Sequence, residues 1–152
     1  MQILEIINDS EKSHIARTIL EALPEWFAVP ESREEHILNS AGKSFFCAFL
    51  DDKPAGFLYM KQTGRETAEL AVMGVLKEHH RKGLGRALFE CAKEAARKNG
   101  FSFLQVKTVQ MGMYEEYDAT NRFYLSLGFK EFEVMPTFWD EANPCQIYVM
   151  AL

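Results

Sequence analysis

The sequence predicts a single α/β domain, residues 1–152, built around a mixed β-sheet, and three observations carry that prediction. A chain of 152 residues with 47% hydrophobic content is the size of one domain with a full core. Residues 67–76, an apolar run, pass through a glycine-containing turn into the amphipathic helix that opens at Leu84, and 101–108 return as a strand. That order favours a right-handed parallel crossover. The runs 44–50 and 54–62 flank the turn Asp51-Asp52-Lys53-Pro54 and predict an antiparallel hairpin beside it.

The elements follow in order. Residues 2–7 alternate as a strand, and Asn8-Asp9-Ser10 offer caps for a helix whose stripe is Ile15, Ile19, Leu20 and Leu23, with Pro24 beyond its end. Pro30 opens a second short helix running to about Asn39. The helix from Leu84 is the best defined: Leu84, Ala87, Leu88, Cys91, Ala92 and Ala95 form one stripe, and Asn99-Gly100 stop it. Its charged face spaces Glu90 with Lys93 and Glu94 with Lys98 for surface ion pairs. Residues 118–127 form a further helix closed by Gly128, and strands near 129–135 and 145–151 complete the chain.

Charge and cysteine usage narrow the function classes. A formal charge of -5 argues against nucleic-acid binding, because the basic residues cluster at one turn and form no extended face. Cys47, Cys91 and Cys145 are odd in number and set among apolar residues, which reads as free thiols in a reducing compartment. The amino terminus lacks a basic stretch before a long apolar run, and no segment approaches the roughly 20 apolar residues of a membrane span. The expected location is the cytoplasm.

The turn 80–86 is the main chemical signal. A helix start leaves about four backbone N–H groups without partners and carries about half a positive charge, a natural seat for phosphate. Gly83 and Gly85 bring no Cβ, while His80, Arg81, Lys82 and Arg86 add positive or potentially positive charge. A dinucleotide fingerprint needs a third small residue where Leu88 stands, and a Walker loop needs an absent Gly-Lys-[Ser/Thr] ending. His79 and His80 are adjacent, so their side chains do not converge on a metal, and no third ligand follows; no metal is expected.

His80-Arg81-Lys82-Gly83-Leu84-Gly85 resembles the coenzyme-A loop of the GCN5-related N-acetyltransferase (GNAT) superfamily, [Arg/Gln]-x-x-Gly-x-[Gly/Ala], with His80 at the first position. Asn121-Arg-Phe-Tyr124-Leu-Ser-Leu-Gly-Phe129 is similar to that superfamily's Asn-x-x-[Ala/Phe]-Tyr-x-x-x-Gly-Phe segment. The stretch Phe138–Cys145 is similar to bacterial members of uncertain substrate. The resemblance implies a splayed mixed sheet of about six to seven strands flanked by about four helices. It also implies acetyl-coenzyme A as cosubstrate and direct transfer to a primary amine on a small molecule or a protein, by a monomer or homodimer.

It further implies that His80 to Arg86, Leu84 included, hold the pyrophosphate. Met73, Gly74 and Val75 would bind the pantetheine arm and polarise the thioester carbonyl, where one well-aimed donor is worth about 3 kcal/mol. Gly74 suits a strand bulge or, equally, tight packing.

Two residues stand out as catalytic candidates. Tyr124, a phenol with an ordinary pKa of about 10, suits a general acid for the leaving thiolate, against a purely structural aromatic. Glu69, a carboxylate in an apolar strand, suits a general base if burial raises its pKa, against a strand-edge carboxylate that points to solvent or pairs with a neighbouring base. Glu115, Glu116, Asp118 or a water chain are alternative bases. Asn121, one turn before Tyr124, is placed to hydrogen-bond the cofactor or to serve as a helix-face amide without a ligand. Trp26, Phe27 and Trp139 are pocket-wall or core aromatics. A non-catalytic acyl-coenzyme-A sensor and an interaction module are the alternative functions.

Overall fold

A computed structural model describes all 152 residues. Twelve elements alternate along it, seven strands, four α-helices and one short 3-10 turn. Strand β1 (Gln2–Glu5) leads to helix α1 (Asp9–Glu21), whose first turn is closed by Asn8 accepting a hydrogen bond from the Glu11 N–H at 2.9 Å. Helix α2 (Pro30–Leu38) starts on its proline. Strands β2 (Ser44–Leu50), β3 (Lys53–Gln62) and β4 (Thr67–Val75) form an antiparallel meander. Helix α3 (Leu84–Lys98) crosses to strand β5 (Phe103–Val109), followed by helix α4 (Glu115–Ser126) and the strands β6 (Lys130–Asp140) and β7 (Asn143–Ala151).

All seven strands belong to one sheet in the order β1-β2-β3-β4-β5-β7-β6. The sequence-based boundaries shift furthest in two places. Helix α4 begins three residues before Asp118, gathering Glu115, Glu116 and Asp118 at its positive end, and β6 runs to Asp140 as one arm of a hairpin. On α3 neither expected ion pair closes: Glu94 meets Arg97 at 3.9 Å, and the Lys93 ammonium lies 5.8 Å from the Phe89 ring centre.

Two cores sandwich the sheet. On one face α3 and α4 bury Leu84, Leu88, Phe89, Ala92, Tyr124 and Phe129 against Leu58, Leu70, Leu104 and Tyr148. On the other, α1 and α2 bury Ile15, Ile19, Leu20, Leu23 and Ile37 against Phe45, Phe57, Tyr59 and Val72. Gly74 belongs to this second packing. A Cβ there would meet Leu23 Cδ1 at 3.0 Å and Ile19 Cγ2 at 3.2 Å, so its bare backbone admits α1. The β-bulge in β4 falls instead at Ala71, where the partners step from Tyr59↔Val72 to Met60↔Leu70.

The feature that positions the site is the junction of β4 and β5. These strands pair in parallel only at Thr67↔Phe103, Ala68↔Leu104 and Glu69↔Gln105. Past Glu69 they part, so the β5-facing backbone edge of Leu70–Val75 finds no strand partner inside the sheet.

Candidate active site

Three kinds of unsatisfied polar group meet where the sheet opens. The first is the start of α3. The earliest helical bond there runs from the Ala87 N–H to the Gly83 carbonyl at 3.0 Å, which leaves the N–H groups of Leu84, Gly85 and Arg86 open. No side chain caps this end, in contrast to α1, and no acidic residue stands in its first turn, in contrast to α1 and α4. Gly83 holds φ +86° with nothing within 4 Å of its missing Cβ, and Arg81 takes the left-handed φ of 60°. The turn is pinned by the His80 ring, whose Nε2 lies 2.7 Å from the Val75 carbonyl oxygen.

Gly85 works differently from the sequence-based reading. Its missing Cβ makes room for Phe123 of α4, whose Cζ would lie 2.9 Å from that Cβ, with Met73 Cε at 3.2 Å. Arg86 adds a second link, donating to the Ser126 carbonyl at 3.2 Å. Thus α4 is seated against the first turn of α3, and the Gly85 N–H still belongs to the open donor set.

The second group is the free edge of β4, carrying Met73, Gly74 and Val75. The third is Tyr124, whose ring packs among Phe123, Phe129 and Tyr148. Of the five tyrosines, Tyr59, Tyr114, Tyr117 and Tyr148 all donate their hydroxyl to a protein acceptor, whereas the Tyr124 hydroxyl has no partner. The only sealed side-chain polar atom without a partner is Nδ1 of His79, so the Tyr124 hydroxyl keeps access to solvent or ligand. Burial pushes its pKa above the ordinary tyrosine value, which keeps the phenol protonated at neutral pH and able to donate.

Asn121 is fully committed to the protein. Both N–H groups of its amide donate, to Val109 at 2.8 Å and Tyr117 at 2.7 Å, and its oxygen accepts from the Tyr148 hydroxyl at 2.6 Å. It staples α4 to the end of β5 and the middle of β7 and thereby orients Tyr124. No amide N–H is left for a ligand.

Glu69 stands at the apex of the opening on the α1/α2 face, its side chain 7% exposed. It is ion-paired with Lys107 of β5 and lies 3.8 Å from the Lys61 ammonium. The Lys107 ammonium in turn lies 5.6 Å from the centre of the Phe138 ring. Lys107, Lys61 and Phe138 were not identified from sequence. The alternation of β5 puts Lys107 and Gln105 on one face, yet only the parallel register brings them to Glu69. Among the alternative bases, Asp118 accepts the Gly112 N–H at 2.7 Å, and Glu115 and Glu116 are exposed at the α4 start.

Trp26 ties the mouth of the opening together. Its indole N–H donates to the Glu116 carbonyl at 3.3 Å, its own carbonyl accepts from the Tyr117 hydroxyl at 2.8 Å, and its ring stands edge-on to His80 at 5.7 Å. Trp139 and Phe138 instead remain half exposed on the β6–β7 hairpin.

An acetyltransferase (GNAT) domain matches residues 41–131, a span that includes β2 to α4 and both strands of the parted β4–β5 pair. No curated protein sequence matches the chain. Among solved structures, a chain described as a GNAT-family acetyltransferase from Desulfovibrio desulfuricans superposes with TM-score 0.82 at 24% identity, covering 99% of this chain and 98% of that one. The ribosomal-protein-S18-alanine N-acetyltransferase of Escherichia coli superposes with TM-score 0.77 at 22% identity, covering 99% and 94%. A GNAT acetyltransferase from Elizabethkingia anophelis with acetyl-CoA bound gives 0.77 at 14% identity, covering 99% and 97%. Matched over more than half of its length, and folded around a parted β4–β5 pair beside an uncapped helix, this chain belongs to the GNAT acetyltransferase family.

Proposed function

We propose that the protein transfers an acetyl group from acetyl-coenzyme A to a primary amine by direct attack. The observation that carries this reading is the Tyr124 hydroxyl, the single tyrosine hydroxyl left without a protein partner, on the helix that packs against the open start of α3. Coenzyme A fits the features present: an uncapped N-terminus free of acidic residues, open space at Gly83, and an unpaired strand edge. When bound, acetyl-coenzyme A supplies the activated acyl group and the thiol that leaves.

The chain's own residues divide the remaining work. The N–H groups of Leu84, Gly85 and Arg86, with Arg81 and Lys82 beside them, hold the pyrophosphate, and His80 fixes the turn that presents them. The edge of β4 at Met73, Gly74 and Val75 offers backbone N–H and C=O groups to an extended arm and a donor to the carbonyl oxygen. Tyr124 holds a proton at Oη for the thiolate, and Asn121, through Tyr148 and Val109, orients it. Glu69 receives the proton of the incoming amine, directly or through water.

The test is calorimetric titration of coenzyme A, followed by thiol release from acetyl-coenzyme A across a panel of amines. Micromolar binding and amine-dependent thiol release are expected. A folded preparation that binds no coenzyme A refutes the proposal, whereas binding without transfer to any amine leaves the acyl-coenzyme-A sensor as the better reading.

A further inference from the structure

The floor of the opening on the α1/α2 face carries more positive charge than its one carboxylate balances. Lys61, Glu69 and Lys107 form a chain of two ammonium groups around one carboxylate, with side-chain exposures of 47%, 7% and 21%. Lys107 has Glu69 as its only hydrogen-bond acceptor in the protein, so two of its three N–H donors are open, and Lys61 makes an ion pair at 3.8 Å without a hydrogen bond. By register the next carboxylate on this sheet face is Glu133, opposite Ile147, which is itself opposite Lys107. That is two strands away, roughly 10 Å, on the exposed edge strand. At the rim, Asp118 accepts the Gly112 N–H and Asp140 accepts from the Asn143 amide, while Glu115 and Glu116 are exposed to solvent at the α4 start.

A half-buried ammonium with open donors is stabilised by a second anion, and an unbalanced positive floor repels a polycation. We infer that the acceptor is a primary amine bearing a carboxylate near its nitrogen, and that Lys107, supported by Lys61, selects for that carboxylate. This rests on the acetyl-transfer reading above. With the carboxylate on Lys107 the floor becomes two positive and two negative charges, while Glu69 remains on the other side of Lys107 to meet the amine. Phe138, over the Lys107 ammonium, supplies an apolar flank for the body of such a molecule. Polycationic amines are disfavoured by the same arrangement. Lys107 is a specificity residue, distinct from the proton-transfer groups.

The experiment compares leucine, phenylalanine and glutamate with their carboxamides, and adds putrescine as a polycation and a peptide amide whose only carboxylate is a glutamate side chain. Acetylation is read as thiol release by the wild type, Lys107→Met and Lys61→Met. The wild type is expected to favour the best amino acid over its carboxamide by tenfold or more in kcat/KM and to leave putrescine unused. Lys107→Met removes that ratio, chiefly through KM, and Lys61→Met reduces it. Preference for the peptide over the free amino acids identifies an acidic peptide as the source of the carboxylate. Equal or better use of the carboxamides by the wild type overturns the inference, as does an unchanged ratio in Lys107→Met. If that variant fails to fold, the wild-type ratio and the Lys61→Met ratio decide. Transfer without carboxylate preference fails this inference alone; absence of transfer to every amine fails the acetyl-transfer reading with it.

Discussion

Replacing Tyr124 and Tyr148 in turn by phenylalanine separates a chemical hydroxyl from a structural one. The two rings pack 6.2 Å apart in the same core, and each substitution removes a single oxygen. At Tyr124 that oxygen has no protein partner, so Tyr124→Phe strands nothing, and its stability cost should stay within about 0.5 kcal/mol. At Tyr148 the hydroxyl is the donor to the buried oxygen of Asn121 at 2.6 Å. Tyr148→Phe leaves that acceptor unsatisfied at about 1–3 kcal/mol, which at roughly 2–4 °C per kcal/mol lowers the melting temperature by about 2–12 °C. The catalytic effects run the other way. Loss of a general acid costs about 10²–10⁴ in rate, or roughly 3–5 kcal/mol of transition-state stabilisation, and this falls on Tyr124→Phe. The assays are thermal melts and thiol release with the best amine of the panel, from pH 6.5 to 9. Undiminished turnover by Tyr124→Phe across that range refutes its role as acid. A melting-temperature loss equal to that of Tyr148→Phe refutes the claim that its hydroxyl is free.

Other outcomes follow from the same geometry. Gly83→Ala forces a side chain into φ +86° and should cost about 1 kcal/mol in a urea melt while weakening coenzyme-A binding, since the helix start is displaced. Gly85→Ala puts a Cβ 2.9 Å from Phe123 Cζ, so it should destabilise by about 1–3 kcal/mol, and Phe123→Leu in the same chain should restore part of the loss in a double-mutant cycle. Burial raises the pKa of Cys47 from 9.0 to about 12 and also raises those of Cys145, Tyr59, Tyr117, Tyr124 and Tyr148. The folded state therefore keeps protons that the unfolded chain loses; this stability is fully present below about pH 9 and declines above it, and urea midpoints that hold constant from pH 8 to 11 contradict it. Thiol labelling of the native protein at pH 8 should modify half-buried Cys91 and spare Cys47 and Cys145, with all three reacting in denaturant.

Local pattern made most of the fold legible. The stripe of α3, the cap at Asn8, the proline at the α2 start and the turn at Asp51-Asp52 each report on a few neighbouring residues, and each appears in place. The glycine-containing basic turn that opens α3 was legible for the same reason, because helix start, glycine and basic residues are contiguous. What escaped depends on register between distant segments. Lys107 meets Glu69 across 38 residues, and Phe123 reaches Gly85 from another helix. The bulge was anticipated at Gly74 as one of two options, yet Gly74 is taken up by α1 packing, and Ala71, which carries no turn signal of its own, holds the irregularity. Asn121 shows the limit of side-chain type as a guide: a buried amide one turn from Tyr124 suits a ligand contact or a staple equally, and only its three partners distinguish them.

The distribution of satisfied and unsatisfied polar groups is itself informative about where this protein acts. Away from the opening the chain is thorough. Buried Lys12 finds Asp9 and the Lys43 carbonyl, Ser40 and Tyr59 bond to backbone, and Asn121 exhausts its donors. An unmade hydrogen bond costs about 1–3 kcal/mol when a group is withheld from water, so such completeness is the expected outcome for a stable domain. Against that background, and Nδ1 of His79 apart, the exceptions cluster: the three N–H groups of α3, the edge of β4 past Glu69, the Tyr124 hydroxyl and the spare donors of Lys107 all border one parting of the sheet. Two arrangements that would satisfy these groups within the chain, a serine or aspartate at position 83 to cap α3 and continued β4–β5 pairing, are both absent. The same parting therefore defines what a ligand must bring: acceptors for the helix start, an extended polar arm for the strand edge, an acceptor for the tyrosine, and, on the far side of Glu69, an anion for Lys107.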